Sequence, residues 1–162
     1  MNFKEAGKMG NIEKRLEELG IELPLRDRKG RGNVAVKRCG DLLFVSGQLP
    51  LKEDGTLLYE GKVGAELTTE EGYQAARLCG VNALGCVQDA IGDLDRIDCV
   101  IKIFGLVSSA PDFFSQPAVI NGFSDLLVEV LGERGMHARS AMGTNVLPKN
   151  APVTIDAIIK LR

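Results

Sequence analysis

Residues 68 to 92, "TTEEGYQAARLCGVNALGCVQDAIG", constrain the fold more than any other stretch of the chain. Thr68 followed three residues later by Glu71 is a capping box, in which hydroxyl and carboxylate each satisfy a backbone N–H that the first helical turn leaves unpaired. Gly92 suits the left-handed residue that ends a helix, so the pattern predicts about six unbroken turns from Thr68 to Gly92. Gly72, Ala76, Cys79, Ala83, Cys86 and Ala90 run along this helix as a stripe of small side chains, which predicts close approach to a sheet. Cys79 and Cys86 lie two turns apart on that face, as small buried hydrophobes.

Strand signals flank the helix. "NVAVKRCG" and "DLLFVSGQLPL" precede it, joined at Gly40-Asp41, a turn pair suited to a hairpin. The second run is almost wholly apolar through Val45, which predicts a strand covered on both faces. "KEDGTLLYEGKVGAEL" holds an Asp-Gly turn and room for a short strand. "RIDCVIKIFGLV" follows the helix, and a strand, helix, strand sequence predicts a crossover with its two strands parallel.

A second unit comes at once. Pro117 opens "PAVINGFSDLLVEVLG", with Val119, Ile120, Phe123, Leu126, Leu127 and Val130 facing inward and Gly132 as the stop. The closing stretch "HARSAMGTNVLPKNAPVTIDAIIKLR" reads as a hairpin whose strands are joined through "LPKNAP". In its last strand Val153, Ile155, Ala157, Ile159 and Leu161 share one face, and Thr154, Asp156, Ile158 and Lys160 the other. The order is ββ(β)αβαββ, an α+β fold with two helices on one face of a mixed sheet. The other face, of mixed polarity, predicts a homo-oligomer.

Ahead of this lies "NIEKRLEEL", with Ile12, Leu16 and Leu19 at helical spacing and Gly20 as the stop, a short helix packed on the outside. The basic "LRDRKGRGN" after it lacks aromatic interleaving and phosphate-loop spacing, and reads as a solvated loop. At 162 residues and 44% hydrophobic content the chain is one domain, and a net charge of −2 provides no field that would draw nucleic acid or an anionic membrane. No apolar run approaches the ~20 residues that span a bilayer. The first twenty residues are too charged for a signal peptide, so cytoplasmic residence is expected. Cys39, Cys79, Cys86, Cys99 and the single His137 show no zinc spacing, and metal catalysis is not expected.

The candidate site begins with Arg139. Ala141, Gly143 and Asn145 continue its strand face, and such small neighbours leave a hollow in which a guanidinium can grip a carboxylate with two hydrogen bonds. The alternative is half of an internal ion pair. Ser46-Gly47-Gln48 at a strand end, Asn121 in the second long helix and Thr144-Asn145 are further polar features able to converge there. Each has a plainer role: a bulge at Gly47, a solvated helix residue at Asn121, a turn cap at Asn145.

Taken in order, "LLFVSGQLP", "VINGFSDLL" and "HARSAMG…LPKNAPVTIDAI" resemble the RidA/YjgF family of reactive-intermediate deaminases over residues 33 to 162. Residues 1 to 32 resemble the helix and loop extension of a longer subgroup. The resemblance implies a chorismate-mutase-like subunit in a homotrimer, with ligand clefts between subunits. It further implies hydrolysis of small 2-imino and enamino acids to 2-oxo acids and ammonia, without a cofactor. By position, Arg139 would clamp the substrate carboxylate, Gly47 would offer backbone contacts, and Asn121 and Ser46 would line the cleft. The family's cleft tyrosine falls on Asn33 or Val34 here. Its water-holding glutamate falls on Thr154, with Asp156, two residues on and on the same strand face, as the substitute acid. A trimeric carboxylate-binding protein without turnover is the second reading, and an endoribonuclease or translation inhibitor the third. For the third, His137 and the "RDRKGR" loop are all the sequence offers in place of an acid/base pair and a cationic track.

Overall fold

The computed structural model describes residues 10–24 and 32–162. Most of the basic stretch read as a loop, residues 25–31, lies outside the described residues. A first helix, α1, spans Asn11–Glu18 and buries Ile12 and Leu16. Two strands follow, β1 (Val36–Cys39) and β2 (Leu42–Gln48), turning at Gly40 with φ 59°. Then come α2 (Thr69–Ile91), β3 (Ile97–Ser108), α3 (Gln116–Leu131), β4 (Ala138–Thr144) and β5 (Val153–Leu161). The capping box forms as read: Thr68 Oγ1 accepts from the Glu71 N–H at 3.2 Å, while the Thr68 N–H donates to the Glu71 carboxylate at 2.8 Å. Gly92 ends α2 in the left-handed region, with φ 77°.

The strands form one mixed sheet in the order β1-β2-β5-β3-β4. This corrects the terminal hairpin. β4 and β5 do not pair: β5 lies between β2 and β3, antiparallel to both, and β4 runs parallel to β3 at the sheet edge. Burial explains the placement. Every second residue of β5 from Val153 to Leu161 is at most 3% exposed, an unbroken apolar row suited to a central strand. β4, with Arg139, Met142 and Gly143 exposed, can occupy only an edge. β2 and β3 are parallel in direction, as the crossover rule requires, with β5 between them.

Two further expectations change. β2 is covered on one face only: Leu43 and Val45 are buried, while Phe44 between them is 44% exposed. The stretch between Leu51 and Leu67 adds isolated bridges, Leu51 to Leu57 and Val63 to Leu67 and Ser109, but no strand. The small-residue stripe of α2 works partly against α3, with Ala90 left exposed. A Cβ at Gly72 of the stripe would meet Val119 of α3, one at Gly80 beside the stripe would meet Leu126 and Phe123, and one at Gly122 of α3 would strike the Tyr73 carbonyl of α2. Both long helices thus press together over the buried sheet face, and α1 docks beside them through Arg15 Nε, which donates to the Glu129 carbonyl at 2.9 Å.

Candidate active site

α3 and β4 lie side by side and run in opposite directions. A Cβ at Gly143 would meet the Gln116 side chain, and Arg139 Nη1 donates to Ser124 Oγ at 3.1 Å. Eight helical residues and four strand residues each cover about 12 to 13 Å, so the two elements stay in step. Ala141 packs against the core between these contacts. Asn121, half-buried, is one helical turn from Ser124 on the same side of α3. Arg139 and Asn121 therefore stand at one edge of the fold.

Among the described residues no carboxylate lies within ion-pair reach of Arg139, and the Ser124 hydroxyl is its hydrogen-bond partner. The internal ion pair that competed with the anchor reading is absent there. A hollow of about 340 Å³ opens at the far end of β4, lined by Ser109, Phe113, Phe114, Gln116, Gly143 and Asn145 among others. It follows the Arg139 face of the strand but starts four residues from Arg139, farther away than the sequence reading placed it. Asn145 does not cap a turn; its carbonyl and side-chain oxygens both accept from Lys62 Nζ, and Ser108 Oγ donates to the same carbonyl.

The other candidates gather elsewhere. The β2 to β5 register shifts after Val45, which opposes Ala157, and resumes at Gln48, which opposes Ile155. Ser46 and Gly47 are thus the bulge opposite Asp156, so the bulge reading of Gly47 holds. Ser46 Oγ donates to the Val34 carbonyl at 2.6 Å, and a Cβ on Gly47 would sit 3.0 Å from Thr154 Oγ1. Gln48 turns inward and is buried, donating to the Ser46 carbonyl at 2.7 Å. Asp156 is raised above the ordinary carboxylate range by desolvation, with Lys102 pulling the other way.

Arg139 pairs with Ile103, which is wholly buried beneath the helices, whereas Thr154 and Asp156 belong to the alternate, open face of β5. Within one protomer, then, Arg139 and Asn121 stand on one side of the sheet and Ser46, Gly47, Thr154 and Asp156 on the other. The predicted catalytic pair, Arg139 and Asp156, is not brought together in a single copy. Two residues that the sequence reading did not place in the site do join Arg139. Ser124 is its direct partner, and Ser124 is in turn 3.0 Å from Nε2 of His137. The hint in the sequence was the spacing of His137, immediately before β4, and Arg139 within it, since residues two apart in extended chain share a face.

The family model of YjgF/chorismate-mutase-like proposed endoribonucleases matches residues 13–160. The chain belongs to the RidA/YjgF family. Protein TCP17 of Trypanosoma cruzi is 42% identical over 94% of this chain and 95% of its own. Among solved structures, protein Atu1372 of Agrobacterium tumefaciens superposes with a TM-score of 0.86 at 46% identity, covering 93% of this chain and 94% of that one. A proposed endoribonuclease from Shewanella oneidensis superposes with a TM-score of 0.88 at 34% identity, covering 94% of this chain and all of its own. The five-stranded mixed sheet with its helices is the chorismate-mutase-like fold of this RidA/YjgF chain. Among the described residues no helix is long and apolar enough to cross a membrane, and no three His, Cys, Asp or Glu side chains are grouped to hold a metal.

Proposed function

We propose that this chain hydrolyses small 2-imino and enamino acids to 2-oxo acids and ammonia, with Arg139 holding the substrate carboxylate. The observation that carries the reading is a guanidinium without a carboxylate partner among the described residues, at an exposed sheet edge beside small residues. One of its N–H groups is engaged by Ser124, which leaves donors for a planar carboxylate. Escherichia coli TdcF, which shares the fold at 20% identity and a TM-score of 0.57, is known with bound serine, a small molecule bearing such a carboxylate. A protonated imine is already electrophilic, so its hydrolysis asks the protein for orientation, a water and proton transfer.

The working cleft lies between copies in a homotrimer. Arg139 and Asn121 of one subunit face Ser46, Gly47, Thr154 and Asp156 on the open face of the next, which reconciles two half-sites that no single copy unites. Phe44 and Met142, exposed at 44% and 54%, give that open face the apolar character of a surface between subunits.

The test is ammonia and 2-oxo acid release from an imino acid generated in the assay. Wild-type protein accelerates release, and Arg139→Ala lowers the rate about 100-fold or more by removing the charge-assisted anchor. Equal rates for the two proteins overturn the assignment. Arg139-dependent binding of a 2-oxo acid in calorimetry, with no turnover of any imine, instead makes the chain a carboxylate-binding protein.

A further inference from the structure

His137, Ser124 and Arg139 form a hydrogen-bonded chain whose polarity the atoms dictate. His137 Nδ1 is 2.6 Å from the Gly135 carbonyl, which can only accept, so Nδ1 carries the proton. Nε2 of the neutral ring therefore has a lone pair. Ser124 Oγ, 3.0 Å away, donates its hydrogen to that nitrogen, and its oxygen accepts from Arg139 Nη1 at 3.1 Å. A hydroxyl that hands its proton to an oriented imidazole, with a cation on its oxygen, is arranged to exchange protons with whatever sits on the guanidinium.

We propose that Ser124 and His137 are the proton relay of the Arg139 site. This rests on the reading of that site as one for imine hydrolysis. Water adds to the iminium carbon: its oxygen forms the new C–O bond, the C=N π pair moves to nitrogen, and one water proton passes to Ser124 Oγ as the serine's own proton passes to His137 Nε2. The resulting imidazolium returns its proton through Ser124 to the amine nitrogen. The C–N bond breaks with its pair leaving on ammonia, the carbonyl forms, and the hydroxyl proton goes back through the relay to solvent. Iminium and water give 2-oxo acid, ammonia and one proton. Ser124 touches the reacting water and is the catalytic residue; His137 acts through it.

The charges around the ring suit a base that rests neutral. Partial burial, and secondarily the Arg139 charge, hold the His137 pKa below the ordinary 6.5, with the Gly135 hydrogen bond opposing them. The carboxylates of α3 are turned to α2: Asp125 accepts from the Tyr73 hydroxyl at 2.9 Å and Glu129 from Arg77 at 2.6 Å. In the turn before β4, Arg134 donates to the Ile97 carbonyl and Glu133 is exposed, and on β3 Lys102 opposes Ala138 with the neighbouring Ile103 buried beneath the helices. Among the described residues, Arg139 is thus the charge that acts on the imidazole.

His137 is the sole histidine, so its ring nitrogens can be followed by 15N NMR without assignment work. Ser124→Ala and His137→Gln are assayed on a freshly generated 2-imino acid beside wild type, with the imidazole spectrum of Ser124→Ala as the check that β4 and α3 remain packed. The relay predicts kcat about 100-fold lower in both with KM little changed, and recovery in Ser124→Thr, which keeps the hydroxyl. It also predicts a wild-type acid limb in the rate profile at the pH where the NMR signal of His137 titrates, absent from both variants. Wild-type activity with kcat retained in folded Ser124→Ala and in His137→Gln overturns the relay and leaves the deaminase reading standing. Absence of wild-type activity on every imino acid overturns the deaminase reading, and the relay with it.

Discussion

Gly122 of α3 rests directly on the Tyr73 carbonyl of α2, and an added Cβ would also press on the Arg77 backbone N. Backbone atoms on both sides of the contact cannot rotate away as a side-chain tip would. Gly122→Ala is therefore expected to force the long helices apart and cost on the order of 3 kcal/mol, at the upper end of overpacking penalties. Gly92→Ala, where nothing lies within 4 Å but φ is 77°, loses only about 1 kcal/mol of left-handed strain. Urea unfolding midpoints of the two variants check the order.

Arg139→Ala is expected to leave stability within about 0.5 kcal/mol of wild type, because among the described residues the side chain has no carboxylate partner to abandon. A thermal melt measures this. Large destabilisation points to a structural duty for the guanidinium.

The Thr68 cap predicts acid sensitivity at the head of α2. Hydrogen bonds from the Thr68 N–H and hydroxyl hold the Glu71 pKa below its ordinary 4.5. A carboxyl depressed in the folded state stabilises above its unfolded pKa, and this contribution is lost as pH falls through the folded value. Thr68→Ala costs about 1 kcal/mol at neutral pH. Stability measured from pH 6 down to pH 3 falls less steeply in that variant than in wild type.

Phe44→Glu places a charge on the open face of β2. If that face joins subunits, sedimentation velocity finds the variant as a smaller species than wild type, with its circular dichroism unchanged. An unaltered mass removes the face from the interface.

The long elements were legible because their signals are local. Thr68, Glu71 and Gly92 bound α2 in the sequence and in the structure alike, since caps act on backbone groups within one turn. The alternation from Val153 to Leu161 likewise identified the buried face of β5. What alternation does not encode is which strand lies next. "HARSAMG" and "VTIDAI" follow each other with a turn-rich link and so resemble a hairpin, yet β5 enters the sheet centre. The apolar row of β5 gains more burial between β2 and β3 than it would at an edge.

The site divides the same way. Arg139 among small residues could be singled out from the chain alone, because a charged fork in a strand of small and apolar residues is anomalous wherever the strand lies. Its lack of a carboxylate partner among the described residues, its link through Ser124 to His137, and its separation by the sheet from Asp156 depend on residues far apart in sequence. By itself the sequence determined the helices, the buried face of β5 and the odd guanidinium, all products of backbone periodicity and local hydrogen bonding. Only the tertiary structure decided strand order and which polar groups meet, because those follow from burial and distance across elements that no local pattern contains.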